Sequence, residues 1–351
     1  MSVLDASLRD LVSTDARVAS VYLRGTGVSE DAAHRFDTRW KNARRALVDA
    51  GAPDAVVEQI ERAIGEASDL HAPSLALFAT GSAPPLTEPL DDELADDLVA
   101  FDDLPRLVPY IHAQQRSVPH MMVSTDRTGA DIVAVVDGHQ VDAETVEGFA
   151  HHIHRGRFGG WSHRRIQQRV ENRWEANARD VAERVGAIAR DIDARVITIA
   201  GDVRACQFLT EHLDDDIAAR ASVLDVGDPD DVAEATVRLV ADHVARQTRD
   251  LLAAMRDTSG GSTAVGTGPV LSALTAGRVD TLLIVDDADD ERRAWYATDG
   301  STVCSQHRTY EGMSEGRLVD VAVRSALLGD SDIHVVPATT IADDLGAILR
   351  W

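Results

Sequence analysis

His154-Arg155-Gly156-Arg157-Phe158-Gly159-Gly160-Trp161-Ser162-His163-Arg164-Arg165 is the stretch from which the chain is best read. From His151 to Arg173 there are six arginines and four histidines against one acid, Glu171, in a chain whose formal net charge is -24. Two adjacent glycines free the backbone to take left-handed or extended angles and to approach another surface closely. The arginines carry permanent planar charge suited to phosphate. Trp161 offers a wide apolar face able to stack on an unpaired base, and its indole nitrogen only donates. Ser162 is an N-cap residue type, and Ile166, Val170, Trp174, Val181, Val185 and Ile188 follow at helical spacing, predicting a long helix to about Arg190. On it Arg165, Arg169 and Arg173 recur every four residues and form one basic ridge.

Either feature alone is ordinary: an arginine-rich helix face is usually solvated surface, and a glycine pair is usually a turn. Their coincidence in one loop of an acidic chain is what singles the segment out. Histidines 151, 152, 154 and 163 raise the question of a metal, but the carboxylate or cysteine cluster of a closed site is missing from this neighbourhood, so no metal or cofactor is expected. The candidate nucleic-acid contacts are therefore His154, Arg155, Gly156, Arg157, Gly159, Gly160, Trp161, Ser162, His163, Arg164, Arg165, Arg169 and Arg173, with no catalytic residue among them.

The whole chain sets bounds around this segment. Its 351 residues suit two or three domains. The hydrophobic fraction of 44% with 4% aromatics predicts aliphatic cores. Lys41 is the sole lysine, and a body so acidic repels nucleic acid except where arginines gather. DNA is therefore not an expected partner. Cys206 and Cys304 show no paired spacing, which points to a reduced, cytoplasmic interior. No stretch has the length and apolarity of a membrane span or a leader, so neither membrane nor secretion is expected.

Outward from the basic segment the pattern divides into three segments, 1–116, 117–257 and 258–351. The first predicts helix over 4–12, strand over 18–23, helices over 31–50 and 54–67, strand over 74–79, a proline-rich loop from Gly81 to Pro89, an acidic stretch 91–103 and a short helix over 104–115. The second opens with a hairpin, 121–125 and 130–136, around Asp126-Arg127-Thr128-Gly129. Chain resumes over 144–150 before the basic loop and long helix. A buried strand 195–202 then ends in Gly201-Asp202, where a helix cap is a plainer role for Asp202 than a catalytic acid. Helix 205–211, strand 222–226 and helix 230–256 complete it. The last helix would bury Val232, Val237, Val240, Val244, Leu251 and Leu252. The third segment alternates helix 270–276, strand 279–285, a short strand near 295–297, helix 318–328, strand 332–336 and a closing helix, or helix and strand, over 341–349. That rhythm predicts a three-layer α/β sandwich.

Gly159-Gly160 before Trp161-Ser162, followed by Arg164, Arg165, Arg169, Glu171 and Arg173, resembles the GGQ loop and following helix of the archaeal and eukaryotic class-one release factor and Pelota family. Residues 273–284, Ala-Leu-Thr-Ala-Gly-Arg-Val-Asp-Thr-Leu-Leu-Ile, are similar to the opening of that family's C-terminal domain, and 346–351 to its close. The likeness covers roughly 120–351, and the N-terminal third is similar, loosely, to a bacterial branch that includes ribosome-hibernation factors. The resemblance implies a mixed α/β protein of three domains, with a ribonuclease-H-like middle domain and an L30e-like three-layer C-terminal domain. It implies binding in the vacant A site of the 70S ribosome, against 16S rRNA at the decoding centre and 23S rRNA at the peptidyl transferase centre, with elongation factor Tu as a companion.

Two departures qualify that expectation. Where release factors carry glutamine this chain carries Trp161, which has no acceptor for a water attacking an ester. No codon-reading motif of the NIKS kind occurs in 1–116. The expectation is a non-enzymatic factor that blocks translation. A peptidyl-tRNA hydrolase used in ribosome rescue is the alternative, and an acidic stress protein whose basic loop binds a protein partner is the third reading.

Overall fold

The computed structural model describes residues 3–25, 32–67, 72–126, 128–147, 161–256, 261–300, 302–306, 312–338 and 340–351, with backbone alone at 3–6, 32–34, 139, 147 and 161–174. The fold is mixed α/β. In chain order the first stretch holds α1 (Val3–Ser13), β1 (Val18–Arg24), α2 (Ala32–Asp49), α3 (Asp54–Glu66), β2 (Ser74–Ala79), β3 (Leu86–Leu90), β4 (Leu98–Asp102) and α4 (Val108–Arg116). There follow β5 (His120–Thr125), β6 (Gly129–Val136), β7 (His139–Glu147), α5 (Trp161–Asp191), β8 (Val196–Gly201), α6 (Val203–His212), α7 (Asp215–Ala218), β9 (Ala221–Val223) and α8 (Pro229–Arg256). The last stretch holds β10 (Thr263–Val265), α9 (Thr267–Thr275), β11 (Val279–Val285), β12 (Arg293–Ala297), β13 (Val303–Cys304), β14 (Met313–Arg317), α10 (Leu318–Leu328), β15 (Asp332–Val336) and β16 (Leu345–Leu349).

These elements form two compact units, one of residues 1–115 with 248–351 and the other of 116–247. In the first unit an antiparallel sheet runs β3-β2-β1-β4. Val18 to Leu23 is a continuous apolar run because β1 is covered on both faces. Ala19, Val21 and Leu23 pack with Trp40, Leu47, Val57 and Ile60 of α2 and α3. Val18 and Tyr22 face a second core that also takes in Leu8 and Val12 of α1 and Leu318, Val321 and Ala322 of α10. The N-terminal and C-terminal segments therefore share one hydrophobic core. Buried Arg324 of α10 reinforces this by donating from Nε to the Val12 carbonyl at the end of α1, 2.9 Å away, where a cation complements the helix dipole.

The C-terminal segment forms the expected three-layer sandwich together with the end of α8. Its sheet runs β10-β16-β11-β15, with β11 and β15 parallel. Leu282 and Ile284 face α9 and α10, whereas Leu283 and Val285 face Leu252 and Met255 at the end of α8.

The second unit has a five-stranded sheet, β7-β6-β5-β8-β9, in which β5, β8 and β9 are parallel and β6 runs against its neighbours. Counted within the unit that order is 3-2-1-4-5, the strand order of the ribonuclease-H-like fold. Val181, Val185 and Ile188 of α5 and Cys206 and Leu209 of α6 cover one face with Met121, Val123, Ile197 and Ile199.

Several expectations need correction. The 81–89 loop contains part of β3, where Pro89 is tolerated because β3 is an edge strand. The acidic stretch 91–103 contains β4. The helix expected from 104 starts at Val108. The closing segment is a short 3-10 turn, Ala342–Asp344, and then strand β16. On α8 Val237 is 67% exposed, and the buried place beside it goes to Thr236, whose hydroxyl lies 2.9 Å from that of Thr198.

Candidate nucleic-acid interface

Strand β7 ends at Glu147 and α5 starts at Trp161. His154, Arg155, Gly156, Arg157, Gly159 and Gly160 fall between them, outside the described residues. Trp161, Ser162, His163, Arg164, Arg165, Arg169 and Arg173 all stand on α5. Ser162 is an N-cap residue type, but it stands inside α5 as the second residue of the helix. The early start has a consequence for register. Trp161 is four residues before Arg165 and so begins the same i, i+4 row as Arg165, Arg169 and Arg173.

The helix is anchored at its other end. From Asn177 onward its inward positions are buried, and Asn177, Ala178 and Val181 line a small internal cavity with Thr125, Asp126, Ala205 and Phe208. At 1.5 Å per residue the backbone of Trp161 lies about 24 Å along the helix axis from Asn177. The hairpin beneath is held by Asp126, whose Oδ1 accepts from Thr128 Oγ1 and N at 2.6 Å and from Gly129 N at 3.0 Å. Those bonds pull its pKa below the ordinary value.

Charge divides along α5. In the anchored half each arginine meets acids: Arg179 lies 3.8 Å from Glu175, Arg184 pairs with Glu144, and Arg190 pairs with Asp214 and lies 3.5 Å from Asp216. In the first half, from 161 to 174, the sequence offers four arginines and only Glu171 in return. The helix thus carries a compensated end inside the fold and an end whose charge the local sequence does not balance.

Asp202 has the plain role. Its carboxylate caps α6, accepting from Arg204 N at 3.1 Å and Ala205 N at 3.2 Å. Sequence reasoning missed two polar clusters of the first unit, because neither has a periodic signature. One joins Asp320 of α10 to Arg106 and Arg317, at 3.5 and 3.8 Å. The other joins Gln115, His334 and Thr248.

Residues 119–261 match the family model described as bacterial archaeo-eukaryotic release factor family 2. That region, under half of the chain, is similar to bacterial archaeo-eukaryotic release factors. The match contains β5 to α8 and with them the basic start of α5. Two uncharacterized proteins of Mycobacterium tuberculosis, from strains H37Rv and CDC 1551, are each 26% identical to this chain over 368 residues, covering 98% of it and 96% of the relative. Among solved structures it is similar to the archaeal translation termination factor aRF1, with 16% identity, coverage of 99% and 96% and a TM-score of 0.24. Archaeal Pelota, in a ribosome-bound complex, is 14% identical with coverage of 98% and 94% and a TM-score of 0.40. Dom34 of S. cerevisiae is 9% identical with coverage of 77% and 73% and a TM-score of 0.42. Scores at this level carry no arrangement or activity over to this chain. No helix among the described residues is long and apolar enough to cross a membrane.

Proposed function

We propose that this protein is a cytoplasmic ribosome-binding factor that enters the vacant A site of the 70S ribosome and blocks translation, as a hibernation factor. The observation that carries the proposal is the basic start of α5 within the release-factor-like region. Helix α5, packed into its own unit from Asn177 onward, carries Trp161, Arg165, Arg169 and Arg173 at i, i+4 spacing, following Gly159 and Gly160 in the sequence. Guanidinium groups neutralise rRNA phosphates and an indole stacks on an unpaired base, so contacts of this kind position the protein without reading sequence. An acidic remainder keeps binding local to that row.

In this proposal the three segments 1–116, 117–257 and 258–351 work as three functional parts. The first approaches 16S rRNA at the decoding centre, the second takes Trp161 and the arginines to 23S rRNA at the peptidyl transferase centre, and the third meets the translational machinery, with elongation factor Tu as companion. The test is co-sedimentation with vacant 70S ribosomes at physiological salt. The wild type pellets with ribosomes, and a variant with alanine at Trp161, Arg164 and Arg165 stays in the supernatant. Absence of wild-type binding, with and without elongation factor Tu, rejects the proposal.

The Gly159-Gly160 pair also favours a second reading, peptidyl-tRNA hydrolysis in ribosome rescue, because those glycines let a backbone approach the ester. Trp161 weighs against it, having no acceptor to hold the attacking water. Release of peptide from stalled ribosomes that disappears in Gly160→Ala supports hydrolysis, and binding without release excludes it.

A further inference from the structure

The chain leaves the first compact unit after Gln115 and re-enters it at Thr248. Both positions are tied to one strand of that unit. Gln115 Oε1 accepts from Val335 N at 2.8 Å, and its Nε2 donates to the Val335 carbonyl at 3.1 Å. β15 is the edge of its sheet, with β11 on its other side, so the Gln115 amide occupies the place where a further strand would pair. The same Nε2 lies 2.9 Å from His334 Nε2, and the Thr248 hydroxyl lies 2.9 Å from that ring nitrogen.

The chemistry of these groups fixes their roles. An amide nitrogen can only donate, so His334 Nε2 accepts, and the imidazole is neutral with its proton on Nδ1. The Thr248 hydroxyl faces the same single lone pair and shares it with the amide. His334 is 5% exposed, and burial followed by repulsion from His112 lowers its pKa to about 4, which keeps Nε2 an acceptor near neutrality.

We propose that Gln115, His334 and Thr248 form a clasp that holds both chain crossings on strand β15. The clasp couples them. Gln115 sits near the end of α4 and Thr248 begins the last turns of α8, and both use the same ring nitrogen, so loosening either stem frees the other. This inference does not depend on ribosome binding.

The test is hydrogen–deuterium exchange of the full-length protein, read on peptides covering 108–116 and 248–256. Gln115→Ala removes the amide but touches nothing in the second peptide directly. The clasp predicts faster exchange in both, on the order of tenfold, the effect of losing about one good hydrogen bond. Gln59→Ala serves as control, because Gln59 makes a comparable pair of bonds elsewhere in the same unit, to Gly81 N and the Ala83 carbonyl. It leaves 248–256 unchanged. Thr248→Val removes a single hydroxyl and covers the case in which Gln115→Ala does not fold; it speeds exchange in 108–116. Acceleration confined to the mutated stem, or an equal response of 248–256 to Gln59→Ala, overturns the clasp.

Discussion

Asp320 is an acid placed where a carboxylate is costly. It is 3% exposed, Oδ1 accepts no hydrogen bond among the described residues, and burial raises its pKa from 3.8 to about 7, with Arg317 and Arg106 opposing the shift. Because the folded-state value is raised, its contribution to stability is greatest below about pH 4. As pH rises towards 7 the unfolded chain loses this proton while the folded chain retains it, so stability falls through that window and levels off above it. Asp320→Asn keeps the shape without the charge. The melting temperature of the variant gains on the wild type between pH 5 and pH 8, and an unchanged difference across that range contradicts the assignment. In the second unit Thr198 and Thr236 share a buried hydroxyl pair, and Thr236 Oγ1 also donates to the Val232 carbonyl at 2.7 Å. Thr198→Val leaves that second bond in place and costs about 1 kcal/mol by chemical denaturation. None of these polar partnerships is legible in the sequence. The decisive ones, Arg106 with Asp320 and Thr198 with Thr236, join residues far apart in the chain, and threonine or aspartate in a strand or helix carries no mark of its distant partner. Asp202 is the exception, because a cap is local: glycine and aspartate between an apolar run and a helical pattern already imply it.

Elements were legible where burial imposed one period and illegible where it did not. Val18–Leu23 and Val196–Ala200 are covered on both faces and read as continuous apolar runs. Val181, Val185 and Ile188 gave the anchored half of α5 its helical spacing, and all three are buried. By contrast β3 is Leu-Thr-Glu-Pro-Leu and β14 is Met-Ser-Glu-Gly-Arg. Each lies at the edge of its sheet, held by backbone bonds to one neighbour and leaving polar side chains in the sequence that look like loop. The same logic predicts where α5 tolerates change. Ile188→Ala opens a cavity against the sheet and costs about 2–5 kcal/mol. Circular dichroism and denaturation should show a destabilised chain that still binds ribosomes when folded. Arg165, Arg169 and Arg173 lie outside the buried half, and replacing them with glutamine leaves the melting temperature within a degree or two while weakening binding. A large drop in stability places these arginines in the core of the fold instead.

At the scale of the molecule, three segments were read from composition and two compact units are found. The middle boundary near 116 is visible in the sequence as the end of one pattern and the start of a hairpin. The union of residues 1–115 with 248–351 is not visible, because it rests on Tyr22, Phe78 and Tyr110 meeting the C-terminal segment in one core. The candidate interface was legible through a coincidence: a local reversal of sign in a chain of net charge -24 falls together with the Gly159-Gly160 pair and Trp161. Binding through that patch must be strongly salt-dependent. Arg164→Glu with Arg165→Glu should weaken ribosome affinity and flatten the slope of log affinity against log salt by about two phosphate contacts. Equal slopes for wild type and variant would assign binding to another surface.

The most direct test of A-site occupancy is photo-crosslinking from position 161. A photoreactive phenylalanine analogue replaces Trp161, the protein is bound to vacant 70S ribosomes and irradiated, and the attached rRNA is mapped by reverse transcription. Crosslinks confined to 23S rRNA at the A-site side of the peptidyl transferase centre are the predicted result. Crosslinks to protein alone, or to rRNA remote from that centre, contradict it.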